Sequence, residues 1–164
     1  MNLLSLLSIY RSYLSGVSGD KVDKAEVTLL QEGGSSVTFP VVPADLPPIE
    51  TTQNNETFNS VIGDISAIGL IGLRSVTFDN WLCPERDYSW AKGSSGSAII
   101  NFINKSRLED KPFRLIITKG GTYLNMLCVV NSFSYYQDNL GDYHVSIEFM
   151  EYRTYNPLTG GLSS

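Results

Sequence analysis

The stretch from Lys111 to Tyr155 places the strongest limit on what this chain can fold into. It contains three runs in which apolar and polar residues alternate, and short segments rich in Gly, Asp or Asn separate them. Alternation with a period of two is typical of strands with one buried and one solvated face. The sequence therefore predicts a three-stranded antiparallel meander whose buried face holds Phe113, Leu115 and Ile117, then Leu124, Met126, Cys128 and Val130, then Tyr143, Val145, Ile147 and Phe149.

Size and charge limit the classes of function. A chain of 164 residues with 42% hydrophobic and 18% charged residues is ordinary for one folded domain. The net charge is −5 and the 12 Lys and Arg residues are scattered, whereas a nucleic-acid-binding face needs them clustered. No apolar run approaches the roughly 18 to 20 residues that span a bilayer. We therefore expect neither a nucleic-acid-binding site nor a membrane span.

The reactive side chains do not form a recognisable catalytic or metal-binding set. Cys83 and Cys128 lack CxxC spacing and a nearby histidine, so we expect buried free thiols. His144, the single histidine, falls on the solvent side of the third meander strand, which leaves no base for a Ser-His-Asp set. We accordingly expect no catalytic residue, no metal and no cofactor.

Two acidic pairs keep an enzymatic alternative open. Asp138 with Asp142, and Glu148 with Glu151, are close in sequence, and a glycosidase needs two carboxyl groups about 5 to 10 Å apart in a cleft. Residues three apart on a strand face opposite sides, which counts against Glu148 and Glu151.

The first residues predict an amphipathic helix. Apolar residues spaced by three and four form one wide stripe, and a small, flexible linker follows from Ser15 to Asp20. Such a helix could dock on a partner or cover its own domain. The stripe consists of Leu3, Leu6, Leu7, Tyr10, Tyr13 and Leu14.

The remaining elements can be read in chain order. We predict a hairpin that turns at Gly33-Gly34, an irregular extended segment over 57–74 because three glycines interrupt it, a strand over 73–82, a loop over 85–96, and a helix capped by Ser97. Tyr88 and Trp90 are the aromatic anchors of the loop. This order favours an α+β fold in which a mainly antiparallel sheet, rolled into a barrel or sandwich, is closed by one helix. The domains are then a helix with linker over 1–20, one β-rich domain over 21–157, and a tail over 158–164.

Several segments, taken in order, carry a family resemblance. They include Phe39-Pro40-Val41-Val42-Pro43, Gln53-Asn54-Asn55-Glu56-Thr57-Phe58, Gly72-Leu73-Arg74-Ser75-Val76-Thr77-Phe78, Pro112-Phe113-Arg114-Leu115, Gly141-Asp142-Tyr143 and Glu151-Tyr152-Arg153-Thr154-Tyr155. Over residues 25 to 157 the chain resembles the N-terminal domain of the LysM-containing baseplate proteins of contractile phage tails and related prophage particles. The LysM module is expected to be absent, since the chain stops at Ser164, and the N-terminal helix is an addition to the family pattern.

The resemblance implies a function and a location. It implies a non-enzymatic adapter near the tail tube and hub, with a fold similar to the rolled sheets of tail-tube proteins, in the baseplate of a virion. Its expected partners are other baseplate, tube and hub proteins, and copies of itself in a ring with six-fold closure. We assign partner binding to the N-terminal stripe and to Tyr88 and Trp90. The alternatives are a tube or distal-tail subunit of another tail type, and a small glycan-degrading enzyme.

Overall fold

The computed structural model describes residues 24–156 and 161–163. The N-terminal helix and linker predicted over 1–20 lie outside the described residues. The described strands are β1 Glu26–Gln31, β2 Ser36–Thr38, β3 Glu56–Ser60, β4 Gly63–Ala67, β5 Ser75–Cys83, β6 Phe113–Thr118, β7 Thr122–Gln137, β8 Tyr143–Glu151, β9 Thr154–Asn156 and β10 Gly161–Ser163, and the helix α1 is Gly96–Leu108. The prediction of a mainly antiparallel α+β fold with one packed helix is confirmed. Strand β10 falls in the segment predicted as a tail and pairs with β9.

One six-stranded antiparallel sheet, in the order β2-β1-β6-β7-β8-β5, forms the body. Its longest strand is the 16-residue β7, which lies between β6 and β8. The first half of β7 pairs with β6, so that Cys128 faces Phe113, and the second half pairs with β8, where Cys128 faces Glu151. The two halves of the sheet are therefore offset along β7, and an offset sheet with the usual strand twist curls into a half-barrel.

Aromatic rings join the two ends of the curled sheet. Phe39, just past β2, stacks on Trp81 of β5 with ring centroids 3.6 Å apart and planes 8° apart. Phe78 of β5 also stacks on the Trp81 indole, with ring centroids 4.1 Å apart. The Trp81 Nε1–H donates a hydrogen bond of 2.7 Å to the Val41 carbonyl oxygen. The edges thus meet through packed rings and not through a backbone ladder.

The concave face of the sheet holds the core. The residues predicted for the buried face of the meander are buried, except that Val130 and Tyr143 are half-buried and pack against the core. Strands β1 and β5 add Val27 and Leu29, and Val76, Phe78 and Trp81. Burying side chains of this kind stabilises the fold by about 1.5 to 3 kcal/mol each. The predicted pattern of burial for the meander is therefore confirmed.

Helix α1 packs into the concave face and begins earlier than predicted. Its N-cap is Ser95, whose hydroxyl oxygen accepts a hydrogen bond from the Ala98 N–H. Ser97, predicted as the cap, lies in the first turn, where its N–H and hydroxyl each donate to the Glu85 carboxylate at 2.8 Å. The apolar stripe predicted from Ile99, Phe102 and Ile103 is buried, as expected.

Two β-bulges explain where the predicted strands were wrong. In β7 the register shifts between Val130 and Ser132, so Phe133 and not Ser132 continues the core face, and the strand runs on to Gln137. In β5 the register shifts between Phe78 and Trp81, next to Asn80 with φ of +48°. Strict alternation along the predicted strand would put Asn80 on the same face as Phe78, but the extra residue turns Trp81 inward instead.

Candidate functional site

The structure places a long two-stranded hairpin where irregular chain was predicted. Backbone pairing runs from Glu50 opposite Ser75, through Gln53 opposite Ile71, into the β3–β4 ladder that ends at Ser60 opposite Gly63. We call residues 50–75 the arm. Its two-residue turn is Val61-Ile62, followed by Gly63 with φ of +118°, a value that suits glycine. The other two glycines of the segment, Gly69 and Gly72, lie where the opposite strand leaves no room for a side chain, so all three are compatible with a hairpin.

The arm exposes most of the large apolar side chains found on the described surface. Of the 15 such side chains, eight belong to the arm. Val61 and Ile62 at the tip have relative exposures of 107% and 90%. Neither Val61 nor Ile62 has a positive φ, and Gly63 takes the left-handed position that follows them, so this turn accepts β-branched residues without backbone strain. The unusual feature of the arm is therefore the exposure of its apolar side chains and not the geometry of its turn. Its exposed apolar residues are Phe58, Val61, Ile62, Ile65, Ile68, Leu70, Ile71 and Leu73.

A buried carboxylate fixes the root of the arm to the sheet. Glu151 at the end of β8 has a side-chain exposure of 2% and accepts hydrogen bonds from Arg74 Nη2 at 2.7 Å and Arg153 Nη2 at 2.6 Å. Arg153 also donates to the carbonyl oxygens of Ile71 and Gly72. Burial by itself raises the pKa of Glu151, but the hydrogen bonds from the two guanidinium groups outweigh it and bring the pKa to about 2. The root of the arm is thus anchored to the end of β8.

A second surface is a groove of about 840 Å³ between the first hairpin, the 39–46 segment and the 88–92 loop. We call it the lysine groove. Its wall carries three lysines and one carboxylate, together with apolar side chains. The apolar part includes Trp90, which is 61% exposed. Its lining includes Lys24, Lys92, Lys119, Val42, Leu46 and Trp90.

Tyr88 holds Trp90 in this wall. The two rings stack with centroids 5.1 Å apart, and the Tyr88 hydroxyl donates a 2.7 Å hydrogen bond to Asp142. That hydrogen bond is the main cause that lowers the pKa of Asp142, against the opposing effect of burial. Glu85 N–H donates to the same carboxylate at 2.9 Å. The structure therefore places Tyr88 as a support for Trp90, and Trp90 as the exposed member of the pair.

The acidic pairs of the enzymatic alternative have structural partners. Asp138 accepts hydrogen bonds from the N–H groups of Leu140 at 2.8 Å and Asp142 at 3.0 Å, which shape the turn before β8. Glu148 accepts from Asn131 at 2.8 Å on one face of β8, while Glu151 lies buried on the other. The prediction that Glu148 and Glu151 face opposite sides is confirmed.

His144 differs from its prediction as an exposed strand residue. Its side chain is only 20% exposed and its Nε2 lies 3.4 Å from an Asp138 carboxylate oxygen. Its ring stacks on Tyr136 at 4.9 Å with planes 4° apart. The long side chain of Tyr136 on the neighbouring strand β7 covers the imidazole, a contact that the alternation pattern alone does not reveal.

The two cysteines behave as the sequence predicted. Cys83 and Cys128 are free and buried, and burial raises the pKa of each thiol to about 12. Across the described residues, the His, Cys, Asp and Glu side chains form no group of three that could hold a metal ion. Within that same part of the chain, no helix is long and apolar enough to cross a membrane.

Comparison with known proteins finds a similarity to an uncharacterized bacterial protein. No family model matches the chain. The chain is 29% identical over 133 residues to the uncharacterized protein YqbP of Bacillus subtilis (strain 168). The match covers 78% of this chain and 59% of the YqbP sequence. The chain therefore spans about three fifths of the length of this relative.

The predicted partner-binding residues divide into two groups. Leu3, Leu6, Leu7, Tyr10, Tyr13 and Leu14 lie outside the described residues. Tyr88 and Trp90 meet beside the lysine groove. The sequence pattern does not predict the arm, because its three glycines favour irregular chain and its turn lacks Asn or Asp. The signal that could have found it is the density of Ile, Leu and Val in a segment that has no place in the core pattern.

Proposed function

We propose that the protein is a structural component of a contractile phage-type tail, an adapter in the baseplate near the tail tube and hub that acts through protein–protein contacts. Its partners would be other baseplate, tube and hub proteins and further copies of itself. Its place would be the tail baseplate of the particle. The tail-tube-like character of the rolled sheet belongs to this proposal.

The observation that carries the proposal is the apolar arm on a rolled antiparallel sheet. An isolated two-stranded hairpin is marginally stable in water, and exposed apolar patches on soluble proteins are typical of interaction sites. The arm exposes its apolar side chains although Glu151 and two arginines hold its root firmly. An apolar projection with an anchored root is stabilised when another subunit covers it, as in a permanent assembly.

Two more features support contacts with neighbours. The stripe of Leu3, Leu6, Leu7, Tyr10, Tyr13 and Leu14 is wide enough to dock in a groove of another protein. Trp90 presents an exposed indole beside the lysine groove. Tryptophan is enriched among the residues that dominate binding energy at interfaces.

The test is to place an epitope tag on the subunit in its own genome, induce particles, and purify them on a density gradient. We expect the tag in the tail fraction, and antibody labelling at the tail end distal to the head. Labelling along the whole tail shaft would favour the alternative of a tube subunit. A tag found only among unassembled proteins would contradict the proposal, and so would turnover of peptidoglycan by the purified protein.

A further inference from the structure

We propose that the arm of one copy inserts into the lysine groove of a second copy, so that the subunits associate head to tail. This contact deepens the proposed structural role, on which it rests for its setting. Purified protein tests it without any particle, so the two proposals can fail separately.

The arm has the chemistry of an inserting element. Its β3–β4 ladder puts Phe58 directly opposite Ile65 on one face, and the Val61-Ile62 turn continues that apolar surface to the tip. The only charged side chains between residues 51 and 73 are the carboxylates of Glu56 and Asp64. The inserting surface is therefore apolar at the tip and negatively charged along its length.

The groove has the complementary chemistry. Lys24, Lys92 and Lys119 surround it against the single carboxylate of Glu26, so its wall is positively charged. Its apolar lining residues, Val42, Leu46 and Trp90, offer cover for the arm's side chains. Opposite charges across an interface favour the correct partner and speed its association, while apolar burial supplies the stability. Both halves of the contact are present on this one chain, which makes a second copy the fitting occupant.

The arm is long enough to reach a neighbour. Ten residue steps from Glu50 to Ser60 span at most about 33 Å at the usual strand rise. A domain of this size has a radius of gyration of roughly 14 Å, so the arm extends about as far as the body is wide. None of the residues that line the groove belongs to the arm. A contact between two different surfaces is heterologous, and repeating it gives a ring or an open chain.

The experiment uses the full chain and sedimentation velocity over a range of protein concentrations. The wild type should self-associate. The arm variant Val61→Asp/Ile62→Asp and the groove variant Trp90→Asp/Lys92→Glu should each weaken self-association at least about tenfold, as the loss of central interface residues does. Leu140→Asp, which changes an exposed apolar residue outside both surfaces, is the matched control and should associate like the wild type. Equal melting temperatures must accompany these results, because the substituted side chains are exposed.

Mixing the two defective variants distinguishes head-to-tail contact from other arrangements. The arm variant keeps an intact groove and the groove variant keeps an intact arm, so their mixture should form 1:1 dimers and nothing larger. A wild type that stays monomeric at every concentration would overturn the proposal. So would a groove variant that associates normally, since this would mean that arms pair with each other, or a mixture that stays monomeric.

Discussion

Glu151 shows how one side chain links the arm to the body. Its carboxylate receives two guanidinium groups, and Arg74 N–H adds a hydrogen bond of 3.0 Å. Glu151→Gln should lower the free energy of unfolding by about 2 to 3 kcal/mol, because charge-assisted bonds are lost where the partner arginines are only partly exposed. Glu148→Gln, on the solvated face of the same strand, should change it by less than about 0.5 kcal/mol. Urea unfolding at neutral pH measures both values.

The same carboxylate gives a pH dependence with a definite sign. The ordinary pKa of 4.5 is lowered to about 2 in the folded protein. The unfolded chain therefore binds the proton first, and the stability from Glu151 is fully present above about pH 4.5 and is lost as the pH falls toward 2. The stability difference between wild type and Glu151→Gln should shrink over this window. A difference that stays constant from pH 6 to pH 2 would contradict the assigned charge state.

Trp81 is the residue that joins the two edges of the sheet. Trp81→Ala removes the stacks with Phe39 and Phe78 and leaves the Val41 carbonyl oxygen without its donor. We expect a loss of about 3 to 5 kcal/mol in the free energy of unfolding. Trp90→Ala is the matched control, because that indole is exposed. It should leave the melting temperature within about a degree or two of the wild-type value, since a change of a few tenths of a kcal/mol shifts the melting temperature of a domain of this size by no more than that. Equal losses in the two variants would mean that the edges do not meet at Trp81.

At the scale of elements, the arm should be separable from the fold. Gln53 and Ile71 face each other across the arm, so Asn-Gly can replace residues 54–70 as a two-residue turn. The shortened protein should melt at nearly the wild-type temperature, because the removed side chains are exposed and the ion pairs of Glu151 with Arg74 and Arg153 remain. It should be defective in self-association. Thermal unfolding and sedimentation velocity decide the matter, and a large fall in melting temperature would show that the arm supports the core.

The N-terminal stripe gives a second prediction for an element. Deleting residues 1–19 should leave the domain folded with an almost unchanged melting temperature, since isolated helices of this length are marginal in water and would be stabilised by a partner. The deletion should remove the subunit from assembled tails. Replacing Leu3 and Leu7 by Ser in the full chain is the finer version of this test. Aggregation or unfolding of the truncated protein would instead assign the segment to its own core.

For the molecule as a whole, regular alternation in the sequence predicts the strands of the meander, whereas the β-bulges that interrupt the alternation are not predicted. The meander was readable because strict alternation runs through Phe113, Leu115 and Ile117 and through Val145, Ile147 and Phe149. The bulges at Asn80 and Asn131 each add one residue and reverse the alternation, and single-sequence periodicity does not locate them. The lysine groove joins residues from distant parts of the chain, so only the curled sheet brings Lys24, Lys92 and Lys119 together.

The attachment of the arm to β5 and to Glu151 also has a mechanical consequence. Ser75 both ends the arm and begins β5, which pairs with β8 along its length. A pull on the arm along the direction of β5 loads the hydrogen bonds of the β5–β8 ladder together, because those bonds lie perpendicular to the strands. The ion pairs between Glu151 and the two arginines resist the first step of peeling at the same place. The arm is consequently attached as a tether that can bear tension, and pulling along its axis should need more force than pulling across it.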